Sequence, residues 1–273
     1  MSTTNLHSTG DGSTLPLVAP SRTLETTAPF RWLREGYADM RHAPWQSLLY
    51  GLAMAVICML LGAMGLTFGG YLVPLAIMGG IVFLAPVLCL GLYAISAQLE
   101  RKQPAMLGRT FREAARSRLG TELVFALMLL VVFLVWARAF SMIQVFMPVD
   151  AQPDMQDLLS YIAVTVAVSG FFAAVTFASS AFALPMIMHR DVDAITATLT
   201  SINAVLRNKK PMALWAAICL LTVIIGIATG FVAAIFLWPL IGLATWHAYL
   251  DTIDASAFPR HTEGITATPR FLD

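Results

Sequence analysis

Residues 123–146 read LVFALMLLVVFLVWARAFSMIQVF, and fifteen of them are Leu, Ile, Val or Phe. At a rise of about 1.5 Å per residue, such a run crosses the roughly 30 Å hydrocarbon core of a bilayer as one helix. Further apolar runs lie on either side of it, at about 47–69, 71–97, 159–188 and 212–250. The last is roughly two spans long, and Gly226 and Gly230 mark its turn region. The first two runs meet at Gly69-Gly70-Tyr71 in a short hairpin. The pattern predicts an all-α polytopic membrane protein with six transmembrane helices in three hairpins. Composition agrees: the 273 residues are 58% hydrophobic and only 12% charged, half the charge of an ordinary soluble domain.

The cations orient the spans. Arg22, Arg31, Arg34 and Arg41 precede the first, and Arg101, Lys102, Arg109, Arg112, Arg116 and Arg118 separate the second from the third. Arg190, Arg207, Lys209 and Lys210 separate the fourth from the fifth, and Arg260 and Arg270 follow the sixth. With six spans all sixteen fall on one side, while the opposite loop, 148–158, carries Asp150, Asp154 and Asp157. Positive charge stays inside, so both termini are expected to be cytoplasmic and the membrane to be the bacterial inner membrane. A five-span arrangement ranks second, because it would export the two tail arginines. Residues 1–28 and 253–273 read as flexible cytoplasmic tails flanking a domain at 29–252, being poor in large apolar side chains. A net charge of +1 gives no reason to expect nucleic acid as a partner.

Each hairpin is preceded by a cytoplasmic segment with helical periodicity. Phe30, Leu33, Tyr37 and Met40 form the first apolar stripe; Leu107, Phe111, Ala114 and Ala115 form the second, beside Arg109, Arg112 and Arg116. Val192, Ile195, Leu199, Ile202, Val205 and Leu206 form the third. Such segments fit amphipathic helices lying in the headgroup layer with the apolar face down, the arginines meeting lipid headgroups. The alternative is a solvated helix packed on its own domain. Every even-numbered span also holds a proline, Pro86, Pro185 or Pro239, which removes a backbone hydrogen bond and kinks the helix.

Few residues suggest chemistry. Arg138, two residues after Trp136, is the one charge well inside a span. A central arginine costs about 2.5–3.5 kcal/mol on insertion scales, which the surrounding aliphatics offset. Its partner would be a freed carbonyl, a lipid phosphate or an anionic ligand. Trp246, His247 and Tyr249 close the last span, the aromatics as interface anchors and the histidine as hydrogen-bonded structure. Asp191 reads as the N-cap of the third amphipathic helix. Cys58, Cys89 and Cys219 stand alone in separate apolar runs, without metal-ligand spacing. GxSxG, HExxH, Walker and dinucleotide-binding glycine motifs are missing, so neither enzyme activity, a metal nor a cofactor is expected.

With those residues in view, the chain resembles the bacterial family of predicted integral membrane proteins called domain of unknown function 2189. The matching stretches include Trp32-Leu33 with Gly36 and Asp39, Tyr50-Gly51, Ala85-Pro86, Gly91-Leu92-Tyr93 with Ser96, and Trp136 with Arg138. They continue through Leu184-Pro185-Met186, Asp191, Asp193, Thr200-Ser201 and Asn208 to Pro239 and Trp246-His247 with Tyr249. They run from about residue 30 to 252; the family tends to a basic residue where this chain has Leu250. The resemblance implies a polytopic inner-membrane protein and no particular activity.

The function expected is that of a non-enzymatic accessory or structural protein, its partners membrane lipids, another membrane protein or a second copy of itself. The alternative is a carrier or channel for a small apolar or anionic solute, the kinked spans lining a cavity around Arg138.

Overall fold

The computed structural model describes residues 16–68, 85–105, 119–145 and 154–260, and these are all-helical, with no strand beyond two isolated bridges. The helices are α1 (Ala28–His42), α2 (Pro44–Phe68), α3 (Leu90–Glu100), α4 (Leu119–Val145), α5 (Met155–Ser180), α6 (Ala183–His189), α7 (Ala194–Arg207), α8 (Lys209–Ala228) and α9 (Ala234–Thr252). Four stretches among them are long and apolar enough to cross a membrane: Pro44–Met64, Gly120–Ile143, Met155–His189 and Lys209–Ala228. The second predicted span lies partly outside the described residues, as do Gly69-Gly70-Tyr71 and Arg109, Arg112 and Arg116. The sixth corresponds to α9, a 19-residue helix whose last turns hold Trp246, His247, Tyr249 and Asp251.

That helix is the centre of the molecule. It packs against α1, α2, α3 and α8. Two glycines bring the neighbouring backbones in. A Cβ on Gly36 of α1 would stand 2.7 Å from the Ala244 nitrogen, and one on Gly51 of α2 would stand 2.6 Å from Pro239 Cγ. Pro239 lies inside α9 without breaking it, and α2 presses against the proline ring rather than around a gap. The α8–α9 turn uses Gly230 at φ +57° and Phe231 at φ +67°; Gly226 belongs to the body of α8.

The long apolar stretch Met155–His189 is not one straight rod. It breaks at Ala181–Phe182, just before Pro185 of α6. Ser201 of α7 repairs the break: its hydroxyl accepts from the Phe182 N–H at 3.1 Å and donates to the Ala178 carbonyl at 2.8 Å. A side chain thus stands where the 182-to-178 helical hydrogen bond would have been, one of the established causes of a helix bend. The same contact fixes α7, whose buried face is Ala194, Ala197, Thr200, Ser201 and Ala204. Its large apolar residues point the other way, with Ile195 59% and Leu206 57% exposed and Leu199 beside them. Of the six-residue stripe read from sequence, Ile202 and Val205 are half-buried and Val192 is buried. In α1 the arrangement repeats: Trp32 and Gly36 face inward, while Phe30 and Tyr37 are 58% and 55% exposed and Leu33 and Met40 lie at the edge.

The boundary drawn at residue 28 moves. Residues 16–27, expected to belong to a disordered tail, lie across the ends of α7 and α9. Ala19 N–H donates to Thr200 Oγ1, Leu24 N–H to Asn208 Oδ1, and Asn208 Nδ2 to the Arg22 carbonyl. The segment after α9 pairs with it through the Ser21–Ile253 bridge, and Phe258 is buried. Backbone hydrogen bonds hold the first strap down and the single ring of Phe258 anchors the second, too few large apolar side chains for composition to reveal either. A second correction concerns Asp191: the N-cap of α7 is Asp193, whose carboxylate accepts from the N–H groups of Ile195 and Thr196, each at 2.9 Å. Partial burial raises the Asp193 pKa, but these backbone hydrogen bonds outweigh it and leave the group below its ordinary value.

Two outcomes follow for α7. Ser201→Ala leaves the Phe182 N–H and the Ala178 carbonyl unpaired and is expected to cost about 1–3 kcal/mol, read as a lower melting temperature of the purified protein. Because the folded pKa of Asp193 is depressed, its contribution is fully present above the unfolded value near 3.9 and is lost as pH falls through the folded one. Asp193→Ala should therefore lower the melting temperature at pH 7, and the gap to wild type should shrink in strong acid.

Candidate functional site

The polar residues of the described structure gather where α1, α3 and the last turns of α9 meet. On α1, Arg31, Trp32, Glu35 and Asp39 recur at spacings of three and four and so project toward one side. On α9, His247 and Asp251 stand one turn apart. His247 Nε2 donates to Asp39 Oδ2 at 2.8 Å, and its Nδ1 lies 3.5 Å from Glu35 Oε2. Ser96 of α3 donates to the same Asp39 oxygen at 2.7 Å. One turn farther along, Asp251 accepts from Trp32 Nε1 at 2.9 Å and forms an ion pair with Arg31. That hydrogen bond and charge push the Arg31 pKa still higher than the ordinary guanidinium value.

The other predicted residues of the last motif are drawn into the same region. Trp246 and Tyr249 are each 1% exposed, so they are core side chains rather than anchors in a headgroup layer. The reason is the packing of α1 and α3 over this end of α9. Trp246 Nε1 donates to Glu100 Oε2 at 3.1 Å, and the Tyr249 hydroxyl meets His189 Nδ1 at 2.9 Å. His189 also sits against the Trp246 ring, 5.6 Å between centroids.

Chemically the group is a clasp. Activation of a serine nucleophile needs the histidine between the hydroxyl and the carboxylate. Here Asp39 lies in the middle and takes hydrogen bonds from both Ser96 and His247, so the histidine does not face the serine hydroxyl. Among the described residues no three His, Cys, Asp or Glu side chains converge as a metal site requires. Sequence reading singled out Trp246, His247 and Tyr249, quoted Asp39 and Ser96 only within the family resemblance, and gave no site role to Glu35, Glu100 and Asp251. The available signal was the pairing of two acids four residues apart with Trp32 and Gly36, on a face other than the apolar stripe.

Arg138 and the prolines are not brought together. Trp136 and Phe140 stack at 5.4 Å in the seam between α4 and α5, and Trp136 Nε1 donates to Ser169 Oγ at 3.3 Å. Arg138 is exposed on the opposite face of α4. Pro185 and Pro239 are buried elsewhere, and Pro86 is half-buried just before α3. The expectation of a cavity lined by the kinked spans around Arg138 is therefore corrected for the described residues: the helical repeat turns Arg138 outward, away from both buried prolines. Cys58 is buried and Cys89 and Cys219 are half-buried, all three as free thiols.

Comparison with known proteins places the central part of the chain. A family model described as predicted integral membrane protein (DUF2189) matches residues 72–189, a narrower stretch than the resemblance read from sequence. It takes in α3 to α6, with Ser96, Glu100, Trp136, Arg138 and His189, and leaves α1, α2 and α7 to α9 outside. No curated protein and no solved structure matches the chain.

Removing the shared acceptor of the clasp should be costly. Asp39→Ala leaves His247 Nε2 and the Ser96 hydroxyl without their carboxylate, and a loss of about 1–3 kcal/mol is expected. A double-mutant cycle with His247→Ala, read by thermal unfolding, should give a coupling of about 0.5–3 kcal/mol, since the two side chains touch.

Proposed function

We propose that the protein is a non-enzymatic accessory component of the bacterial inner membrane, crossing it six times in three hairpins with both termini cytoplasmic. It binds anionic lipid at the cytoplasmic headgroup layer and supports another membrane protein or a second copy of itself there. The count of six takes the apolar run 71–97 and α9 as crossings beside the four stretches of sufficient length and apolarity.

One observation carries the lipid reading: α7 buries alanine, serine and threonine and turns Ile195, Leu199 and Leu206 outward. A helix in water does the reverse, because burying large aliphatics removes far more apolar surface than burying alanines. Outward aliphatics are stable when hydrocarbon lies against them, as for a helix in the plane of the interface. Arg207, Lys209 and Lys210 close this helix and open the next, where anionic headgroups would meet them. Phe30 and Tyr37 on α1 and Trp45 at the head of α2 are exposed in the same manner, and aromatic rings favour that depth. The non-enzymatic part rests on the missing catalytic motifs and on the order of groups in the clasp.

Replacing Arg109, Arg112 and Arg116 together by Gln tests the lipid contact. At roughly 1 kcal/mol per cation near an anionic surface, the triple variant should retain clearly less phosphatidylglycerol than wild type in native mass spectrometry. Unchanged retention would remove the lipid part of the reading. A protein co-purifying from the native membrane at fixed stoichiometry would identify the partner that the accessory role requires.

A further inference from the structure

We infer that Arg138 is a contact for the phosphate of a lipid headgroup, in the leaflet reached by the C-terminal end of α4. This rests on the proposed bilayer-crossing arrangement, in which that leaflet is the outer one.

The wheel of α4 divides cleanly. Phe125, Leu129, Trp136 and Phe140 are buried, while Leu127, Val131, Leu134, Val135 and Met142 are exposed. Arg138 stands in the middle of the exposed face, about 180° from the seam at 100° per residue. Among the described residues no carboxylate, carbonyl or hydroxyl pairs with it. A guanidinium facing hydrocarbon needs a hydrogen-bond acceptor, and it cannot shed its proton to escape the need.

Two features select a lipid phosphate over an acid on a neighbouring protein. Of the exposed residues around Arg138 on this face, Val131, Leu134, Val135 and Met142 are large, and Ser141 is the one small side chain among them. Helix partners in membranes approach instead over small residues, which let backbones come close. The second is depth. Arg138 lies seven residues before Val145, the last described residue of α4, hence about 10 Å along the helix from that point. From there a long cationic side chain can snorkel to the headgroups. Its planar fork matches two phosphate oxygens at once, which lysine does not.

The test uses the full chain in mild detergent, titrated with phosphatidylglycerol and separately with diacylglycerol, which shares the acyl chains but lacks the phosphate. Arg138→Gln should retain phosphatidylglycerol about fivefold less than wild type, the effect of losing one cation near the surface. Arg138→Lys should fall between, and diacylglycerol retention should be the same in all three. Equal phosphatidylglycerol retention by wild type and Arg138→Gln would overturn the inference. So would an oligomer that dissociates in Arg138→Gln while lipid retention holds, since the arginine would then belong to a protein contact. The substitution makes an apolar span more apolar and disturbs no buried side chain, so folding is not at stake. Topology is read independently: Val145→Cys should react with an impermeant maleimide from the periplasmic side. Reaction from the cytoplasmic side would sink the proposed orientation while leaving the lipid titration to decide on Arg138.

Discussion

Everything around the last turns of α9 depends on how closely α1 and α2 approach that helix. Gly36 and Gly51 set that approach, since a methyl group at either would collide with the backbone at Ala244 or with Ile235 and Pro239. Only at this separation does His247 reach Asp39 at 2.8 Å and Trp32 reach Asp251 at 2.9 Å. The polar groups in turn hold their helices at a fixed rotation, because each hydrogen bond is directional whereas apolar contact is not. Close packing supplies the proximity and the charges supply the register.

A second constraint operates on the other side of the molecule. The long stretch from Met155 cannot continue as regular helix past Ala181, and the lost backbone hydrogen bond is replaced by a hydroxyl from α7. Ser201 therefore fixes where α7 sits and which of its faces is turned inward. The exposure of Ile195, Leu199 and Leu206 is a consequence of that docking, so the outward apolar stripe and the helix break are one feature seen from two sides. Asn208 at its end completes the attachment by accepting from the Leu24 N–H, while Asp193 caps the head of α7.

The sequence made the crossing helices legible because a run of some 20 apolar residues leaves few alternatives. The stripes of α1 and α7 were legible only in part, with Phe30, Tyr37, Ile195, Leu199 and Leu206 outward and Val192 buried: periodicity marks a face whether it meets protein or lipid. What periodicity cannot say is which side of the helix the protein itself occupies, and here it is the side of small residues. Partner identities were hidden by distance. Nothing local to Asp39 points to a histidine 208 residues later. Trp246 and Tyr249 were misread as surface anchors because that assignment assumes the helix end is bare, and α1 and α3 cover it. The cap at Asp193 rather than Asp191 turned on two residues of register, which backbone geometry decides. Arg138 was visible as an oddity from the first, while its direction required the helix to be docked.

The separation in sequence between α1 and α9 has a consequence for biosynthesis. The early helix α1 depends on the late helix α9: Gly36, Asp39 and Trp32 leave the ribosome more than 200 residues ahead of the α9 groups they meet. At translation rates of about 5–20 residues per second, that interval is roughly 10–40 s. Throughout it the nascent chain lacks the histidine that faces Glu35 and Asp39 and the backbone that fills the groove at Gly36. Closure thus waits for α9, and quality control would meet any chain stopped before it as an unlatched intermediate, however well its earlier helices had entered the membrane.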